Sequence, residues 1–515
     1  MKKSPAFSKI KRLSSIAKLV QKAKKEGNKI VLCHGVFDII HPGHIRYLEA
    51  ARKFGDRLVV TTTADKFVQK GPGRPVFKQE LRAEVISSIA VVDYVGIVNS
   101  PSAVESIRVI RPDYYVKGPD FKKRKSIDGT KSLFEEEKAE IEKAGGELVF
   151  TEDDITFSSS KILTDYYDIY PREMKLYLDK LKHKLSLEAL IDQLEKLKKH
   201  KVLIIGDSII DQYCYCLPLG KSYKEPHMVQ QYISEESYLG GVLATANHLA
   251  ALVGQITLVT LLGKKKSFRS LISKKLKPAI TPVFFAQSIQ PTIIKRRFID
   301  INSKQKMFQI SYLKEDFELP QKLEKEIMDY LEKVIEKYDL VVCNDFGHGL
   351  ISPAISKLLV RKSKFLALNV QANSANYGYN VITKFSRADY VCIDKQEIRL
   401  AMQNKFTDVT VLMKKIYRKM DAKMMLVTQG PLGTLSVTGD SEVTEAPALS
   451  SKVVDRVGAG DALFAITAPC VAAGMDPDTV SFLGNVAGAL KVAIIGNKKQ
   501  IEYGDLIRMI TRLLR

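Results

Sequence analysis

Residues 29–44 read KIVLCHGVFDIIHPGH: an apolar run, KIVLC (29–33), a glycine, then two histidines three apart around Pro42-Gly43. A short apolar run closed by a turn signal predicts a buried strand, and the periodicity from His44 to Phe54 predicts a helix. The alternation continues outward. DRLVVTTT (56–63), VDYVGIV (92–98), DYYVKG (113–118) and ELVFT (147–151) read as strands, with helices over 78–90, 102–110 and 131–144 and from about residue 159. Strand and helix alternating through short loops implies an α/β fold with a doubly wound parallel sheet. Upstream, Ile16, Leu19, Val20 and Ala23 share one helix face, closed by Gly27.

Past residue 165 the pattern changes. Residues 172–200 are charged and helical, with Leu187, Leu190, Ile191, Leu194 and Leu197 in a stripe. KVLIIGDSIID (201–211) opens a second strand-helix series, and 212–235 reads as short extended segments forming a small projecting sheet. The expected organisation is an N-terminal helix (1–27), an α/β domain (28–165), a helical linker (166–200) and a second α/β domain (201–515).

Composition narrows the function. The chain has 515 residues, 45% of them apolar, so large cores can be buried and wholesale disorder is excluded. No run approaches the ~20 apolar residues of a membrane span, and the basic N-terminus lacks the apolar centre of a signal peptide. The expectation is a soluble, cytoplasmic protein that does not engage membranes. Six cysteines without a CxxC pair read as buried reduced thiols, and Cys214-x-Cys216 is too little for a metal site. The net charge of +22 points to an anionic partner. The lysines lie along helix faces without arginine-aromatic interleaving, which favours phosphorylated small molecules over nucleic acid.

In a doubly wound sheet, ligands bind where strand C-termini meet helix N-termini. A helix opening at His44 turns backbone N–H groups towards that spot, and Gly43 admits a close ligand. His41 and His44 beside them make a phosphate cradle; zinc ligation and satisfied structural histidines are the other readings. GVFDIIHPGH resembles the HxGH signature of the nucleotidyltransferase superfamily, in its cytidylyltransferase-like branch. KGPGRPV (70–76), Arg82, VDYV (92–95), VKGPDF (116–121) and FSSSKI (157–162) match that branch in order. The resemblance implies that His41 and His44 contact the nucleotide phosphates, with Lys70 and Lys117 supplying positive charge. Gly35 and Phe37 would line the nucleotide, and Ser158, Ser159 and Ser160 would hold the leaving pyrophosphate, unless they are helix caps alone. Asp38 either supports the turn or touches substrate; Arg74 and Arg82 either bind substrate phosphate or form salt bridges. Cys33-His34 departs from the Thr-Asn frequent in relatives.

Late in the chain stands DRVGAGDALFA (455–465). Its small residues let an anion rest on bare N–H groups at a helix start, beside Asp461, which could accept a proton from an attacking hydroxyl. This resembles the DTxGAGD signature of ribokinase-like, PfkB-type sugar kinases, with Arg456 in the place of threonine. The 201–211 strand, Gly240-Gly241 and VTQGPLG (427–433) resemble further parts of that family. The likeness implies Asp461 as general base, Gly458, Ala459 and Gly460 as anion hole, and Asp207, Asp211, Gly240 and Gly241 at the sugar. Thr428, Gly430, Gly433 and Asn485 would lie on ATP, and Glu397 would serve Mg²⁺. Departures stand at Ala244, Asn369, Gln371 and His348, where the family offers asparagine, aspartate, lysine and lysine.

Together the two halves are similar to the bifunctional heptose-phosphate kinases/adenylyltransferases, with the domain order reversed. The implied activity is synthesis of a nucleotide-activated sugar: ATP-dependent phosphorylation of a sugar or sugar phosphate, and nucleotidyl transfer from a nucleoside triphosphate to a sugar phosphate with release of pyrophosphate. ATP and Mg²⁺ serve the kinase, ATP or CTP the nucleotidyltransferase, and a homodimer forms through the kinase domain. An ADP-heptose-like product is favoured; the alternative is a CDP-linked sugar or polyol, with an altered kinase half as nucleotide-binding scaffold.

Overall fold

Alternate residues of the first strands face opposite layers, and that division builds the first unit. A computed structural model describes residues 5–68, 75–118, 133–151, 171–439, 442–450 and 453–514. It divides into two units, Met1–Arg172 and Glu173–Arg515. Strands Ile30–Gly35 (β1), Arg57–Thr63 (β2), Tyr94–Val98 (β3), Tyr114–Lys117 (β4) and Glu147–Phe150 (β5) form one sheet in the order β3-β2-β1-β4-β5. Every pairing is parallel. Val31, Cys33 and Val60 enter one core with Leu48, Ala83 and Ile86. Ile30, Leu32 and Val59 enter the other with Ile16, Val20, Ile107 and Ile141. Burial on both faces is what a parallel sheet requires and explains the continuous apolar reading of β1.

Helix Leu13–Lys25 belongs to this second layer. Its Ile16 and Val20 are fully buried, and Ile10 bridges to Val95. Each such side chain contributes about 1.5–3 kcal/mol on burial. This helix is therefore part of the first unit's core and not an appendage before it.

In the second unit the strands are Lys201–Gly206 (β6), Ser208–Lys221 (β7), Met228–Gly241 (β8), Gln255–Gly263 (β9), Ile280–Gln287 (β10), Ile293–Asp300 (β11) and Lys306–Tyr312 (β12). They continue with Leu340–Asp345 (β13), Leu366–Val370 (β14), Tyr390–Asp394 (β15), Met424–Thr428 (β16), Thr434–Val437 (β17) and Thr444–Ala446 (β18). The main sheet runs β10-β9-β6-β13-β14-β15-β16-β17-β18. It is parallel through β16, and β17 and β18 return antiparallel. The return departs from the purely parallel expectation; the turn at 429–433, with Gly430 and Gly433 at positive φ, makes it.

A second sheet, β12-β11-β7-β8, is larger than the small sheet expected from 212–235. β11 pairs parallel with β7 and β12 antiparallel with β11, so IIKRRFID and KMFQISY extend this sheet. Its outer residues Leu219, Met228, Tyr232, Ile233, Phe308 and Ile310 are exposed. Helices Arg172–Lys184 and Leu187–Lys196, expected as a linker, belong to the second unit, with Leu190, Leu194 and Leu197 buried. Among the described residues no helix is long and apolar enough to cross a membrane. All six cysteines are buried and free.

Two candidate active sites

The strand order of the first unit places its switch point between β1 and β4, so ligands are expected beside the ends of these two strands. The helix after β1 begins at Pro42, two residues earlier than expected, with His41 as N-cap in an extended conformation. Proline's fixed φ suits the first helical position, which moves the start forward and puts both histidines on the opening turn. Their rings lie 3.9 Å apart, centroid to centroid, and Phe37 packs edge-on to His44 at 5.4 Å. Phe37 has φ +47°, a left-handed turn that folds its ring back over Gly35, where a Cβ would stand 3.2 Å from it. The stack thus rests on Phe37.

Asp38 accepts the Val76 N–H at 2.7 Å, so it ties its own turn to the 75–77 segment. Arg82, expected at the substrate, is instead a buried clamp. Its guanidinium donates to Phe77 O, Val36 O, Thr62 Oγ1 and Thr63 O, and pairs with Asp65 at 2.7 Å. With its side chain fully buried and its donors spent, it orders the loops around the site. Lys117 closes β4 and pairs with Glu137 at 2.9 Å. Glu137 also accepts Ala103 N–H and the Tyr115 hydroxyl, so the charge expected of Lys117 is already met by a carboxylate. Burial pushes His34 down to about 4, and its ring nitrogens meet Thr61 and Thr63 at 2.9 and 3.3 Å. His34 is a neutral structural histidine. Lys70, Arg74, Ser158, Ser159 and Ser160 lie outside the described residues.

In the second unit, helix Ala459–Ala472 starts on Gly458 at φ +77°. Asp461 sits in its first turn, buried, and burial raises its carboxyl to about 6. Gln371 donates to Asp461 Oδ1 at 2.6 Å and to Asn369 Oδ1 at 2.8 Å. Asn344 in turn donates to Asn369 Oδ1 at 2.7 Å, and Thr245 donates to Asn344 at 2.8 Å. The departures Asn369 and Gln371 therefore form one connected network that holds Asp461. Ala244 is buried immediately before Thr245.

Asp211 lies close to this network. It pairs with Arg297 at 2.5 Å and accepts from Asn497 at 3.1 Å. Gly240 is required beside it, because a Cβ there would stand 2.5 Å from Asp211 Oδ2. Gly241 opens the following helix at φ +58°. Asp207, expected at the sugar, accepts the backbone N–H groups of Phe346, His348 and Leu350 and so braces that loop. Burial, then the nearby Lys295, push His348 down to about 3. The charge absent at His348 is thus offset by a lysine from β11. Burial also lowers Lys295, opposed by Asp211, Asp461 and Asp207. Sequence reasoning missed Lys295 and Arg297; their signal was the spacing of two cations on one face of a strand.

Of the residues expected on ATP, Thr428 ends β16, and Gly433 leaves no room for a Cβ, which would meet Ala446 O at 2.1 Å. Asn485, expected near adenine, spends its amide on Thr434 Oγ1 at 2.8 Å and Ser481 O at 2.9 Å, and so ties its helix to β17. Glu397, expected at the metal, completes a capping box instead. It accepts Asp394 N–H at 2.7 Å and Ala372 N–H at 3.2 Å, and burial pushes it up to about 8. Such a carboxylate does not fit a Mg²⁺ ligand, and no group of three acidic, histidine or cysteine residues among those described could hold a metal ion. Among the described residues none joins His41 and His44 in a group that could hold zinc.

Residues 32–165 match the cytidylyltransferase-like family and residues 199–500 the pfkB family of carbohydrate kinases. The chain is 33% identical over 160 residues to the bifunctional protein HldE of Desulfatibacillum aliphaticivorans, covering 31% of each. It is 26% identical over 303 residues to HldE of Campylobacter jejuni subsp. doylei, covering 58% of this chain and 62% of that one. The chain therefore matches less than two thirds of the length of these curated relatives. Among solved structures it resembles phosphofructokinase-2 from Escherichia coli, determined with substrates and products, at TM-score 0.50 and 14% identity, over 61% of this chain and 100% of that one. At that identity the likeness establishes the fold of the second unit.

Proposed function

The chain belongs to the pfkB family of carbohydrate kinases, and from that premise we propose that it is a bifunctional enzyme: its second unit phosphorylates a sugar or sugar phosphate with ATP, and its first transfers a nucleotidyl group to a sugar phosphate. An ADP-heptose-like product is favoured by the likeness to HldE proteins. In the kinase step, a sugar hydroxyl attacks the γ-phosphorus, Asp461 takes its proton and ADP leaves. The N–H groups at the head of helix Ala459–Ala472 receive the charge of the transferring group. Asp211 orients the sugar. Lys295, which makes no ion pair among the described residues, supplies a cation for the phosphate the sugar already carries. The substrate is then a dianion, consistent with the chain's net charge of +22.

In the second step, a sugar phosphate oxygen attacks the α-phosphorus and pyrophosphate leaves. The nucleophile is already anionic, so the task is alignment and charge stabilisation, which His41 and His44 supply from the helix start. Mg²⁺ enters with the nucleotide phosphates in this reading. The exposed apolar residues of the β12-β11-β7-β8 sheet support pairing of two copies through the kinase unit.

The observation that carries the reading is Asp461: a buried carboxylate in the base range, held by Gln371 against a glycine-led helix start. The experiment is an assay of ADP and pyrophosphate release against a panel of sugar phosphates, with ATP or CTP as nucleotide. ADP release followed by ATP-dependent pyrophosphate release supports the proposal. Pyrophosphate release with CTP alone would replace the adenylyl reading with the cytidylyl one, and release of neither would refute both.

A further inference from the structure

Helix Pro477–Val492 is composed almost wholly of apolar and small residues, yet near its end stands Lys491, fully buried. Among the described residues no carboxylate pairs with it directly. Its ammonium donates to two backbone carbonyls, Val457 O at 2.9 Å and Gly496 O at 2.6 Å. Val457 immediately precedes Gly458, and a Cβ at Gly458 would lie 3.3 Å from Lys491 Cε. The lysine therefore lies directly behind the turn that leads into the anion hole.

A second group grips the same two loops from their other polar ends. Asp455 accepts Val457 N–H at 3.0 Å and Gly496 N–H at 2.9 Å. Lys306 and the Tyr213 hydroxyl, at 2.6 and 3.1 Å, hold Asp455 in place. Carbonyls go to a cation and N–H groups to an anion, so the turn has little freedom left.

Burying an ammonium is expensive, and a methionine of similar length would fill the volume without that cost. Packing therefore does not account for the charge. We propose that Lys491 is a positioning residue for phosphoryl transfer, a tethered cation that draws the Val457 carbonyl backwards and leaves the following N–H groups aimed at the transferring phosphoryl. A peptide unit's C=O and N–H point in opposite directions, so fixing one aims the other. Charge behind the turn also adds to the field felt by the anion. Because it is covalently attached, this cation cannot dissociate, and the kinase has no need of an added monovalent ion at this position. The inference rests on the kinase reading of the second unit.

The test uses the full chain and Lys491→Met, with two readouts. Amide hydrogen exchange across residues 455–461 should speed up by ~10-fold or more in the variant, and excess ammonium chloride should restore protection where choline chloride does not. In the same preparations kcat for phosphoryl transfer should fall ~10²-fold with the KM for ATP little changed, and ammonium should recover part of it. The wild-type chain should be indifferent to potassium, ammonium or choline in both measurements. Unchanged exchange and turnover in the variant would overturn the proposal. So would losses in a folded variant that no small cation repairs, or a wild-type chain that itself requires potassium. Should Lys491→Met fail to fold, the wild-type salt series alone decides. If the wild type phosphorylates no sugar, the kinase reading fails, while exchange still reports whether the cation sets the turn.

Discussion

Gly460→Ala should leave the second unit as stable as before, or slightly more so, and remove most of its phosphoryl transfer. Gly460 lies in the first turn of helix Ala459–Ala472, and a Cβ built there meets nothing within 4 Å. Alanine is favoured over glycine within a helix by up to about 1 kcal/mol. The new methyl instead enters the space before the helix start, where the anion is to rest. Losing that stabilisation corresponds to ~10²–10³-fold in rate. Gly458→Ala should show the contrasting pattern. At φ +77° a side chain costs about 1–2 kcal/mol, and its Cβ would stand 2.7 Å from Asn497 Oδ1. Thermal melts paired with ADP-release kinetics separate the two: one variant stable and inactive, the other destabilised. A Gly460→Ala chain with full turnover and unchanged KM for ATP would refute the anion hole. One destabilised as much as Gly458→Ala would refute the open space in front of the helix.

Three further outcomes follow from the geometry. Asp461 is raised to about 6 by burial, so it is protonated at higher pH than an ordinary aspartate; phosphoryl transfer should fall ~10-fold per unit below about pH 6, and a profile flat to pH 5 would remove it as the base. Asp461→Asn should abolish ADP release and spare pyrophosphate release. His44→Ala should do the reverse, lowering nucleotidyl transfer by on the order of 10²-fold in an assay of pyrophosphate. Arg82→Met should lower the stability of the first unit by about 3 kcal/mol or more, since it strands buried acceptors; a normal denaturation midpoint with a raised KM for the sugar phosphate would return Arg82 to the substrate.

The strands of both main sheets were legible in the sequence because parallel strands buried on both faces read as unbroken apolar runs, as KIVLC and KVLIIG do. The second sheet was only partly so. In IIKRRFID three consecutive cations mask the strand, and KMFQISY is exposed along most of its length. The site's motif residues lie where the glycines require, at the heads of helices. What the motifs did not reveal is which polar groups are already spent. Arg82, Asn485, Glu397 and Asp207 carry ligand-type side chains, but each has at least one partner distant in sequence, and no spacing rule shows such partners. Lys491 had a visible signal, a lone cation in a helix of apolar and small residues, whose meaning depended on the carbonyls it meets.

The long hairpin of β7 and β8 has register shifts at Tyr215/Cys216 and at Pro218/Gly220, both between Asp211 and the distal turn. A slip of one residue along paired strands turns every side chain to the wrong face, which at Asp211 would take the carboxylate away from Arg297 and Asn497. Bulges take up such offsets locally. The outer third of the hairpin is therefore mechanically insulated: insertions or deletions near residues 222–227 can be absorbed before they reach Asp211, and this rim is free to diverge while Asp211 keeps its alignment.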